Sequence, residues 1–94
     1  MPVNIDNISP SEYAGAMLFR HAEVTIEYED GGVTFVPASL NMNRFQNVII
    51  TVNDGSENTV SWYEDGDSLI VYDDDGVEVD ADTEVGARIT GIGR

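Results

Sequence analysis

Apolar and polar residues alternate in short runs along this chain, and most runs stop at an acidic corner that contains glycine. In "EVTIEY", Val24, Ile26 and Tyr28 fall on one side, with Glu23, Thr25 and Glu27 on the other. "TVSWY" sets Val60 and Trp62 against Thr59, Ser61 and Tyr63, and "VEVDA" sets Val77, Val79 and Ala81 against Glu78 and Asp80. A period of two marks a strand with one wet face. Two runs, "VIITV" at 48–52 and "LIVY" at 69–72, are apolar at consecutive positions, as expected of strands covered on both faces. The breaks are Asp-Gly pairs at Asp30-Gly31, Asp54-Gly55, Asp65-Gly66 and Asp75-Gly76. Glycine accepts positive φ cheaply, and aspartate before it is hairpin-turn chemistry.

This pattern predicts strands over 23–28, 33–37, 45–52, 58–63, 68–73, 76–80 and 85–92, following one another as an antiparallel meander. Val24, Ile26, Val48, Ile50, Val52, Val60, Leu69, Val71 and Ile89 form the expected core. One segment predicts a helix, over about 10–20. "SPSE" fits a capping box, with Ser9 as N-cap, Pro10 in the first turn and Glu12 reaching back, and Tyr13, Ala14, Met17 and Leu18 follow at helical spacing. Gly15 weakens that helix, and Arg20 and His21 suit its C-terminus. The expected fold is one mainly β domain over 1–94, a small barrel or sandwich with a short N-terminal helix.

Composition adds a strong charge. Eighteen acids face four arginines, with no lysine, for a net charge of −14 in 94 residues. Residues 23–84 hold sixteen of the acids and only Arg44. Such a field repels nucleic acids and anionic membranes and attracts basic proteins or cations. A GC-rich genome or a salt-adapted host also favours arginine over lysine and an acidic surface, so part of the charge has a compositional explanation. With no cysteine there is no disulfide framework or thiolate metal site. The start "MPVNIDN" lacks the features of a signal peptide and no run approaches a membrane span, so a cytoplasmic location is expected, in the host cell if the chain is phage-encoded.

Candidate chemistry then concerns binding. In a meander, turns 29–32, 53–57 and 73–76 share one end, and turns 64–67 and 80–84 share the other. The first end gathers Glu29, Asp30, Asp54, Glu57, Asp73, Asp74 and Asp75, a rim whose mutual repulsion a basic partner would relieve. Tyr63 and Tyr72, at strand ends beside acids, are interface candidates. Trp62 and Phe45 belong either to that patch or to the core. The acid-free segment "ASLNMNRFQN" either presents Asn41, Asn43 and Arg44 to a partner or carries Leu40 and Met42 into the core.

No catalytic, cofactor or metal motif emerges. "DDDGVEVDADTE" fails the EF-hand spacing, because Gly76 at loop position six would put Val71 at position one. His21 is the only histidine, no G-x-S-x-G elbow accompanies it, and "VGARITGIGR" lacks the lysine of a phosphate loop, leaving strand glycines and a loose terminus. The expectation is a non-catalytic acidic protein-binding module, without cofactor, that engages a basic surface. In its most concrete form it is a nucleic-acid mimic, with carboxylates standing in for phosphates, of the kind a phage-borne inhibitor of a nucleic-acid-binding protein would use. The alternative is a small structural β subunit of a virion or other assembly, with self-association left open.

Overall fold

The computed structural model describes residues 3–10 and 12–94. Met1, Pro2 and Ser11 lie outside these, and with them the first two residues of the signal-peptide reading and one position of the expected helix. Among the described residues eight strands follow in order: β1 (Val3–Ile8), β2 (Glu12–Ala14), β3 (Met17–Glu27), β4 (Val33–Thr34), β5 (Phe45–Val52), β6 (Thr59–Tyr63), β7 (Ser68–Tyr72) and β8 (Glu84–Gly93), with a short 3-10 helix at Pro37–Leu40 between β4 and β5. The fold is mainly β and every strand pairing is antiparallel.

Strand order departs from a simple meander. β8, last in sequence, sits between β3 and β5 in a sheet ordered β1-β3-β8-β5, with β2 also beside β3; a second sheet runs β4-β7-β6. The composition of β8 explains its central place. Val85, Ala87, Ile89, Gly91 and Gly93 all face inward and are buried, and the strand is paired with β3 from Glu84 to Gly93 and with β5 from Ala87 to Gly93. A Cβ on Gly91 would meet the Phe45 ring at 2.7 Å and Leu40 at 3.0 Å, and one on Gly93 would collide with the backbone carbonyl of Arg44. The C-terminal residue is also tied down: Arg94 exchanges backbone bonds with Arg44 at 2.9 and 3.0 Å.

The two sheets close over one core. Phe35, following β4, stacks on Phe45 of β5 with centroids 5.8 Å apart, and Phe45 meets Trp62 of β6 edge-on at 5.5 Å. Trp62 Nε1 donates to the Phe35 carbonyl at 3.2 Å. Leu40 and Met42 are buried, so the acid-free segment is a crossover from one sheet to the other. Val24, Ile26, Leu69, Val71 and Ile89 are buried as expected, while Val48, Ile50, Val52 and Val60 are only partly so, packed against the core from its flank. Ile49 is 51% exposed. The 48–52 run is therefore not covered on both faces: β5 ends its sheet, and the outer face there is wet.

The expected helix is a hairpin. Glu12–Ala14 pairs with residues 17–19, and Gly15 with φ 63° opens a two-residue turn. Glycine at the first central position suits that turn, so the residue that weakened the helix is the one that makes the hairpin. Ser9, the expected N-cap, instead pairs with β3, its amide donating to the His21 carbonyl at 2.8 Å and its Oγ accepting from the His21 amide at 2.9 Å. Arg20 and His21 lie mid-strand rather than at a helix end. Segment 76–80 also differs from expectation. It makes one bridge, Glu78 opposite Tyr72, and then turns away to β8.

Candidate functional site

Backbone pairings place the acids. Glu27 pairs with Glu84 at the end of the first sheet, and beyond them Tyr28 donates to the Thr83 carbonyl and accepts from the Asp82 amide. The 80–84 turn therefore shares an end with the 29–32 turn and does not oppose it, because 76–80 is not a full strand that would carry the chain across. Thr59 opposite Tyr72 brings the 53–58 and 73–76 loops to that same end, and Glu78 bonded to Gly31 links them to the first turn. One end thus gathers Glu27, Glu29, Asp30, Asp54, Glu57, Asp73, Asp74, Asp75, Glu78, Asp80, Asp82 and Glu84, on segments that contain no arginine. Glu27 directly opposite Glu84 is a like-charge pair that costs stability. The rim is larger than the alternation of turns implied.

Its acids divide into two kinds. Asp54 accepts from the Gly86 and Ser56 amides, both at 2.9 Å, and its pKa is held below the usual carboxylate value by the Ser56 side chain first and then by these two amides. Asp73 Oδ1 accepts from Asp75 and Val77 amides at 2.9 and 3.0 Å and shapes its own turn. Glu78 accepts from the Tyr28 hydroxyl at 2.6 Å and the Gly31 amide at 2.9 Å, which together lower its pKa. These three fasten loops to the body. Glu29, Asp30, Glu57, Asp74 and Asp75 are exposed, and their charge faces solvent. Carboxylate oxygens of Asp73, Asp74 and Asp75 lie within 4.8 Å of one another, an acidic tip in which Asp73 is already engaged by its turn.

This division has a measurable consequence. Asp73→Ala is expected to lower stability by about 1 kcal/mol through the lost turn bonds. Asp74→Asn with Asp75→Asn should leave stability unchanged or raise it, because repulsion falls. Parallel thermal melts of the two variants check the contrast, and equal behaviour would show that Asp73 is one more solvated charge.

The remaining candidates lie elsewhere. Tyr63 and Tyr72 share the outer face of the second sheet, with hydroxyls 2.9 Å apart. Asn41 and Arg44 are exposed at the opposite end of the molecule, where Phe45 pairs with Gly93, so they do not join the rim. Asn41 takes φ 56° to end the 3-10 helix, which is a structural use of an asparagine. Glu23, on the outer face of the first sheet, is fixed by Arg88 at 2.7 Å and Asn53 at 2.9 Å, and the arginine lowers its pKa most. His21 shares a ring nitrogen bond of 2.8 Å with Thr90 beside a shallow depression of about 110 Å³ lined by Asn7, Ser9, His21, Ala22 and Glu23. Ligand pockets usually enclose about 300–1,000 Å³.

Fold and site together define a two-sheet antiparallel β domain with one strongly acidic end. No known protein family, curated protein or solved structure matches the chain. Among the described residues no helix is long and apolar enough to cross a membrane.

Proposed function

We propose that this chain is a non-catalytic protein-binding module whose acidic end engages a basic surface of another protein. One observation carries the reading: twelve carboxylates and no arginine lie on the loops and strand termini of a single end. Hydrogen bonds through Asp54, Asp73 and Glu78 fix the loops that present the free acids, so little ordering is left for binding to impose. A field of this kind steers encounter with arginine and lysine clusters, and the association slows as salt rises. Its most concrete form is nucleic-acid mimicry, in which the carboxylates occupy the groove of a nucleic-acid-binding protein.

The test is capture of basic proteins from a host lysate by wild type and by a variant with Glu29, Asp30, Glu57, Asp74 and Asp75 changed to their amides. Partners retained by wild type at low salt, released by high salt or by added duplex DNA, and lost to the variant support mimicry. Identical partners on both proteins would refute it. The second reading, a structural β subunit of a virion or other assembly, is favoured by exposed Ile5 on edge strand β1 and exposed Ile49 on edge strand β5. Concentration-dependent self-assembly in sedimentation, unaffected by the five amides, would replace the first reading with this one.

A further inference from the structure

The second sheet turns a patterned face outward. Register in β6 and β7 sets Thr59, Ser61 and Tyr63 beside Tyr72, Ile70 and Ser68, opposite in direction to buried Leu69 and Val71. Tyr63 pairs with Ser68 at one end of the hairpin and Tyr72 with Thr59 at the other. Their side chains nevertheless lean together until the hydroxyls meet at 2.9 Å, bridging the space above Ser61 and Ile70. One hydroxyl donates to the other, so the second keeps its hydrogen for solvent and both oxygens keep acceptor capacity. Tyr63 is 42% exposed, so part of its ring is open to a partner.

The charge around this aromatic bridge has one sign. Glu64 and Asp65 follow Tyr63, Asp73 to Asp75 follow Tyr72, and Glu78 stands opposite Tyr72 in the bridge to the 77–79 segment. No arginine occurs between Arg44 and Arg88. An apolar ring surface with hydroxyl acceptors, between two acidic tips, complements one side chain above others. Guanidinium is planar, stacks on aromatic faces and carries several N–H donors for hydroxyl and carboxylate oxygens.

We propose that this face docks an extended, arginine-bearing segment of a protein partner, with a guanidinium stacked on the Tyr63–Tyr72 bridge and neighbouring arginines directed at the acidic tips. The proposal rests on the reading of the partner as basic, and adds where and by which residue type it is held. Strands of five residues span about 17 Å, so an extended segment of about five or six residues reaches from one tip to the other. In such a segment, arginines at alternate positions face the sheet together.

Titration of the isotopically labelled protein with a short peptide of alternating arginine and serine tests this by amide chemical shifts. Shifts at Ser61, Tyr63, Ile70 and Tyr72 are expected, and a lysine-for-arginine peptide should bind about two- to fivefold more weakly. Tyr63→Leu should remove that preference for arginine. Tyr63→Phe, which keeps the ring, should retain most of it and serves if the leucine variant is unfolded. Shifts confined to 27–31, 53–57 and 73–84, with equal affinity for both peptides, would overturn this inference and leave the acidic-end reading standing. Absence of binding by either peptide at low salt would overturn both.

Discussion

Phe35→Ala is expected to cost about 3–5 kcal/mol, the usual range for emptying a buried phenylalanine site. Phe35 is fully buried and lies between the sheets, stacked on Phe45, which in turn meets Trp62. Its backbone is held on both sides, the amide by the Asp67 carbonyl at 2.7 Å and the carbonyl by Trp62 Nε1 at 3.2 Å. Two anchored sheets cannot collapse freely onto the space the ring leaves, so the cavity term adds to the lost transfer energy. Against a total stability of about 5–15 kcal/mol, this loss removes a large share. Urea denaturation of wild type and variant measures it from the shift in midpoint. A loss below about 1 kcal/mol would mean that the two sheets repack around alanine and that the aromatic group does not join them.

The same residues show what could be read from the chain and what could not. Period-two alternation located β6 and the 23–27 part of β3, because alternation reports a wet face directly, but at 76–80 the same pattern leads only to a single bridge. Phe35 fell within the strand expected over 33–37, but β4 ends at Thr34, and Phe35 is buried because a crossover begins there. Strand order was also illegible. A meander is the simplest arrangement of consecutive hairpins, but it leaves the long run 84–93 at an edge. The inward small residues Ala87, Gly91 and Gly93 were the clue to a strand with neighbours on both sides, and glycine in a strand is a sign of close approach. β1 was missed for a different reason. "VNIDNI" alternates until Asp6, where a register shift between Ile5 and Asn7 spoils the period. At 12–19 a helical spacing and a hairpin were both available, and Gly15 with its φ of 63° decided for the hairpin.

Legibility of the acidic end followed the turns. Asp-Gly pairs named the corners, and three corners do share an end, although the meander that led there is not the topology. Asp80, Asp82 and Glu84 were assigned to the far end, because "VEVDA" alternates as a strand would. What alternation cannot show is the tether: Glu78, the one residue of its segment bridged to Tyr72, accepts from the buried Tyr28 hydroxyl and the Gly31 amide. The distinction between acids that fasten loops and acids that face solvent lies in hydrogen bonds between residues up to fifty positions apart, and no local pattern encodes it.

That tether gives the second large effect, in alkaline solution. Tyr28 is 1% exposed, and burial pushes its hydroxyl pKa well above the ordinary tyrosine value, with the bonded Glu78 carboxylate adding to the rise. Below about pH 10 the folded and unfolded chains both keep the phenolic proton, and the contribution to stability is fully present. Above it the unfolded chain ionises while the folded chain holds its proton. Stability therefore falls by as much as about 1.4 kcal/mol per pH unit until the folded pKa is reached. Glu78 bounds the same bond from the acid side: its lowered pKa favours the folded chain above the ordinary glutamate range, and that gain is lost as pH falls through the folded value. Tyr28→Phe removes the titrating group. At neutral pH the variant should be less stable by about 1 kcal/mol, the net worth of one hydrogen bond. Its stability should then decline less steeply than wild type between about pH 9 and 12, so that the two curves converge and cross. Denaturant midpoints measured across that range decide the matter, and curves for Tyr28→Phe and wild type that stay parallel would show that ionisation of Tyr28 is not linked to unfolding.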